Sequence, residues 1–161
     1  MTQGRVLKDP KEIIAALDML LKELENSDEN YLSEELKTLR ERVLYTHSHA
    51  EISMETLLTD KLGSMIDMTT FYKRLSFSEK IQVNTEIKNL QPSLIEDLIK
   101  LNKARNELAH PKRNQVEKYK QEKVYMDTLA CCIRCLMAFR VEFKWRLKAT
   151  KKESKDKNKR T

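Results

Sequence analysis

Two glycines and three prolines are all that punctuate the 161 residues of this chain, and hairpins, sandwiches and barrels need such residues at almost every turn. So few turn formers restrict the chain to long helices joined by polar breaks. Hydrophobic residues at 40% and charged residues at 35% suit helices with one apolar and one charged face, and argue against a mostly disordered chain. The expected fold is all-α: a single bundle of about five helices with a long C-terminal helix.

Periodicity places those helices. Asp9-Pro10 supplies a cap followed by proline in the first turn, and Ile13, Leu17, Leu20, Leu21 and Leu24 then recur at three- and four-residue steps. After Asn26-Ser27-Asp28 a second helix begins near Ser33 and carries Leu36, Leu39, Val43, His47, Ala50, Met54 and Leu57 on one stripe up to Gly63. Residues 64–91 are less regular, but Ser76-x-x-Glu79 has the pattern of a capping box ahead of Ile81 and Ile87. Pro92-Ser93-x-x-Glu96 starts a fourth helix through Leu94, Leu98, Leu101 and Leu108, which Pro111 should end. A fifth helix is expected from about Gln115 to about Leu147. Its centre, Leu129 to Phe143, is apolar on nearly all sides, as in a helix that packs against its own domain and against a partner.

At this length one domain is expected, over residues 1–149, followed by a basic tail, 150–161, with no apolar residue to tie it down and hence expected to be disordered. The charge divides the same way. Of the net +6, residues 144–161 carry nine Lys or Arg against Glu153 and Asp156, so the remaining 143 residues sum to −1. The basicity belongs to the end of the chain, and whole-chain charge is no argument that the folded body binds nucleic acid. No apolar run approaches the roughly 20 residues that cross a bilayer, and no membrane association is expected. Cys131, Cys132 and Cys135 are odd in number and sit inside an apolar helix, which suits buried thiols in a reducing, cytoplasmic setting better than disulfides or a zinc site.

One local conflict carries chemical information. Continuing Leu94, Leu98 and Leu101 by another four-residue step lands on Arg105, and Asn106 falls on the adjoining line Ile95, Ile99, Asn102. Polar groups thus interrupt a face that should be buried, and a guanidinium there needs carboxylates, carbonyls or a phosphate for its five donors. His110 precedes Pro111, which disfavours helical backbone at the histidine, so the chain should leave the helix there and can bring the imidazole back over Arg105. Carbonyls at a helix end favour imidazolium and Arg105 opposes it, which would leave the histidine titrating near its reference value of about 6.5.

The segment Leu101-Asn102-Lys103-Ala104-Arg105-Asn106-Glu107-Leu108-Ala109-His110 resembles the signature of the HEPN superfamily: an arginine, a polar residue that is usually asparagine, and a histidine four to six positions on, at the end of a late helix in an all-helical domain. The resemblance implies a homodimer in which two motifs face each other in one composite site. It further implies metal-independent endoribonuclease activity, with RNA as substrate and no cofactor. His110 would take part in proton transfer as a ribose 2′-hydroxyl attacks the neighbouring phosphate, Arg105 would steady the phosphate charge, and Asn106 would orient its neighbours. A toxin branch of the superfamily carries a tyrosine two residues after the histidine; Lys112 stands there instead, so that branch's regulation does not carry over, although an antitoxin or other regulatory protein stays a possible partner. Lys103, Lys112 and Arg113 would hold the RNA backbone.

Plainer readings stand beside these. Arg105 can be a helix-end arginine paired with Glu107 or another acid, with His110 merely capping the helix; a separate alternative is a non-catalytic helical module that binds RNA, nucleotide or a protein partner through the same face, and a third is a structural dimer in which Arg105 makes an interface ion pair. His47 shares its stripe with Val43 and Met54 and reads as a satisfied core or interface histidine. Its i, i+2 spacing to His49 turns the two rings apart on a helix, against a shared metal.

Overall fold

The computed structural model describes residues 9–25, 34–62, 71, 74–109 and 117–158. Among the described residues five helices carry the fold: α1, Pro10–Glu25; α2, Glu35–Leu62; α3, Phe77–Glu86; α4, Pro92–Ala109; and α5, Glu122–Asn158, preceded by a 3₁₀ turn over Glu117–Lys120. Among the described residues there is no strand, and the architecture is the all-α bundle with a long last helix that the composition calls for.

Helix starts follow local chemistry. The Asp9 carboxylate accepts the amide of Lys11 at 2.9 Å and its carbonyl accepts those of Glu12 and Ile13, which satisfies donors that no helix can satisfy internally. At α3 the capping box is complete: Ser76 Oγ accepts from Glu79 N at 3.3 Å, and Glu79 Oε2 accepts from Ser76 N at 2.6 Å. The turn from α3 to α4 is a Schellman motif built without glycine. Lys88 takes φ 53°, its amide donates to Thr85 O, and the Asn89 amide donates to Asn84 O. The apolar contact that usually accompanies such a turn is replaced by a hydrogen bond from Asn89 Nδ2 to Asn84 Oδ1 at 2.9 Å between two buried side chains.

The core forms where α5 packs against α1, α2 and α4. Leu17, Leu39, Val43, Met54, Leu57, Leu98, Leu136 and Phe139 have no exposed surface, and Phe143 closes the core on α5. Beyond Phe143 α5 runs on to Asn158, so the residues expected to form a disordered tail from 150 are helical as far as Asn158, with 150–155 exposed. Polar ties fasten the layers. Lys80, buried at 2% exposure, joins α3 to α2 through Glu51 at 2.5 Å and Glu55 at 2.9 Å. Arg134 of α5 grips Asp97 of α4 with two parallel hydrogen bonds, at 2.9 and 2.8 Å, the fork geometry that makes arginine–carboxylate pairs strong. The three cysteines are free and buried; burial pushes the Cys132 thiol up to about 12, which keeps it protonated and inert.

Candidate functional site

On α4 the buried stripe is Leu94, Asp97, Leu98, Leu101, Ala104 and Leu108. From Leu101 it takes a three-residue step to Ala104, not the four-residue step to Arg105, because alternating steps of three and four keep pace with 3.6 residues per turn. Arg105 therefore lies on the flank of the stripe, half-buried, with Asn106 exposed beside it. The adjoining line runs to the surface as well: Ile95 and Asn102 are half-buried and Ile99 is 57% exposed.

Three helices meet beneath this flank. His47 of α2 stacks on Phe77 of α3, with ring centroids 3.8 Å apart and planes at 23°. His47 Nε2 lies 3.2 Å from Asn102 Oδ1, and Asn102 Nδ2 donates to Ser78 Oγ of α3 at 3.1 Å. With the amide placed so, His47 donates through Nε2 and Asn102 passes the connection to Ser78. Burial holds the His47 imidazole below its ordinary value of 6.5; the Asn102 hydrogen bond pulls up, Arg105 pushes down, Glu51 pulls up and Lys80 pushes down. The ring is a satisfied buried histidine, in keeping with its place on the apolar stripe. Ser78 and Asn102 are its partners, and of the two only Asn102 is conspicuous in the sequence, as a polar residue on an apolar line.

Arg105 Nη1 donates to Asn106 Oδ1 at 3.0 Å, a bond between exposed groups. Pairing with Glu107 does not occur. Glu107 turns to the other side of α4, where Lys118 reaches it at 2.6 Å and the Tyr119 hydroxyl donates to it at 2.6 Å. Burial raises the Glu107 carboxyl, but those two hydrogen bonds outweigh it and hold the group below the usual carboxylate range; the same burial, with Glu107 alongside, pushes the Tyr119 phenol up. Among the described residues Arg105 thus keeps its remaining donors uncommitted to any carboxylate.

The other expected site residues are not assembled with it. Lys103 lies two residues from Arg105, about 160° around the helix, and lines a cavity of about 250 Å³ with Leu101, Ala104, Tyr119, Val124 and Cys131. His110, Lys112 and Arg113 lie outside the described residues; α4 itself reaches Ala109. Among the described residues no group of three or more His, Cys, Asp or Glu side chains is arranged to hold a metal ion, and no helix is long and apolar enough to cross a membrane. The chain matches no family model, no curated protein and no solved structure.

Proposed function

We propose that this chain is an endoribonuclease of the HEPN type, which cleaves RNA without a metal by attack of a ribose 2′-hydroxyl on the adjacent phosphate. The observation that carries this reading is the arrangement at Arg105: a half-buried arginine whose guanidinium is bound at the surface to the exposed Asn106 and to no acid among the described residues, five positions before a histidine. An arginine held at a surface without a carboxylate is suited to a phosphate. Attack would leave a 2′,3′-cyclic phosphate on one fragment and a 5′-hydroxyl on the other. In it His110 carries the proton, Arg105 offsets charge on the phosphoryl oxygens, and Asn106 keeps the guanidinium aimed. The site is completed by a second copy of the chain across the flank that bears Ile95 and Ile99, since a half-exposed isoleucine line gains by being covered.

The test is cleavage of a structured RNA in EDTA by wild-type protein, Arg105→Ala and His110→Ala, with circular dichroism to confirm folding. Cleavage to cyclic-phosphate ends that falls about 100-fold or more in each variant is expected, on the scale of losing one charge-stabilising donor or one acid–base group. A wild-type protein that cuts no RNA under any ionic condition refutes the reading.

A second reading has its own observation. Exposed Met137, Val141 and Trp145 on α5 favour a helical module that binds a protein; such a module binds its partner unchanged when His110 is replaced.

A further inference from the structure

We propose that the outer face of α5 is a docking groove for an acidic amphipathic helix of another protein. Met137, Val141 and Trp145 stand at successive four-residue steps and are 51%, 63% and 67% exposed. Beside them a groove of about 240 Å³ opens between α5 and the start of α4, lined by Leu94, Met137, Ala138 and Val141 together with Gln91, Ser93 and Glu142, the last 4.0 Å from Arg146. Three large apolar side chains in one line beside an apolar groove is the pattern by which a helix is received, its own i, i+3, i+4 and i+7 side chains filling the groove.

Charge selects the occupant. The arginines of α5 are spent on the body of the protein: Arg134 on Asp97, Arg140 on Asp18 and Arg146 on Asp60. The lysines are not. Lys144, Lys148, Lys152 and Lys155 are exposed and make no ion pair among the described residues. At 100° per residue all four fall within about 60° of Val141, on the apolar line itself. Glu142 and Glu153 fall 100° or more away, and the Asp156 position falls 60° away, on the other side of the line from Lys144. The face is therefore apolar along its centre and cationic toward its C-terminal end, and the matching surface is apolar with carboxylates.

The same charges disfavour the other occupants. A second copy laid antiparallel with Val141 on the two-fold axis would give Lys155 a carboxylate, Asp127, but would leave Lys144, Lys148 and Lys152 without one, and a parallel copy would set each lysine against itself. A nucleic acid strand would use the lysines and stack on Trp145, but it has no group to cover Met137, Val141 and the apolar groove.

The chain's single tryptophan is part of the face, so its own emission reads the docking. Titrate the full-length protein with a tryptophan-free helical peptide that carries leucines at i, i+3, i+4 and i+7 with glutamates on either side, and with its lysine counterpart. The glutamate peptide should shift Trp145 emission to the blue and saturate at micromolar concentration. Binding should weaken about tenfold or more in Met137→Ser/Val141→Ser and in Lys148→Glu/Lys152→Glu, and in high salt. All four positions are exposed, so the variants should keep the wild-type circular dichroism. The proposal is overturned if both peptides bind equally, if neither binds, or if either double variant binds as wild type does. It is also overturned if an oligouridylate shifts the emission and the glutamate peptide does not, or if the shift deepens with protein concentration alone, which would mean a second copy on this face. None of these outcomes depends on whether Arg105 and His110 cut RNA.

Discussion

Replacing Lys80 by methionine should destabilise the protein by about 3 kcal/mol, the lower end of what removing one partner of a buried ion pair costs. The ammonium is 3% exposed and lies between Glu51 at 2.5 Å and Glu55 at 2.9 Å. Methionine fills the space of the lysine stem but removes the cation that lies between the two carboxylates. Glu55 is 9% exposed and has little water to turn to, whereas Glu51 at 25% has some, which is why the larger end of the range is not expected. For a chain of this size that loss corresponds to a fall of roughly 6–12 °C in Tm, measured by circular dichroism and, in free-energy terms, by urea unfolding. A second readout follows from the same geometry. Lys80 pushes the His47 imidazole down while Glu51 pulls it up, so Lys80→Met should raise the His47 titration midpoint in a proton NMR titration. Adding Glu55→Met should restore part of the lost stability, since the most buried carboxylate is then gone. A loss below about 1 kcal/mol, with an unmoved His47 midpoint, would refute the argument that this lysine holds α3 to α2.

Because burial holds the folded His47 below 6.5, the unfolded chain binds more protons between that lowered value and 6.5. Stability is then fully present above about pH 6.5 and is lost as pH falls through the folded value; His47→Gln should flatten that part of the stability–pH curve, and an unchanged slope would count against it. Lys88 holds a left-handed backbone without being glycine, so Lys88→Gly should stabilise by about 0.5–1 kcal/mol in urea unfolding, and destabilisation would mean the lysine side chain contributes to the turn. Ile99→Glu, on the exposed flank of α4, should shift the protein to monomer in light scattering and lower RNA cleavage with it; a variant that remains dimeric places the partner elsewhere.

Much of the fold is legible in the residues. The Asp9-Pro10 start, the Ser76-x-x-Glu79 box and the Pro92-Ser93-x-x-Glu96 start are local patterns among near neighbours, complete within a few residues, and α1, α3 and α4 start where they say. The last helix is less so. The 3₁₀ turn at Glu117–Lys120 carries no distinctive residue pattern, and the sequence reads through it as helix from about Gln115. Past residue 149, where the apolar residues cease, the helix continues to Asn158, exposed over residues 150–155.

The candidate site shows the same division between local and distant information. Composition and period by themselves determined an all-α bundle, a basic C-terminal end and a polar break at Arg105 and Asn106, because each depends only on spacing along one helix. Only the tertiary structure decided that this break lies at the edge of the core, that Glu107 turns away to Lys118 and Tyr119, and that His47 reaches Asn102 from another helix while Asn102 donates to Ser78. The reason is physical. A helix period of 3.6 specifies which residues share a face to within one neighbour. The choice between Ala104 and Arg105 for the buried position rests on what α2 and α5 present to it, and the His47 hydrogen bond joins residues 55 positions apart, a separation across which no local pattern reaches.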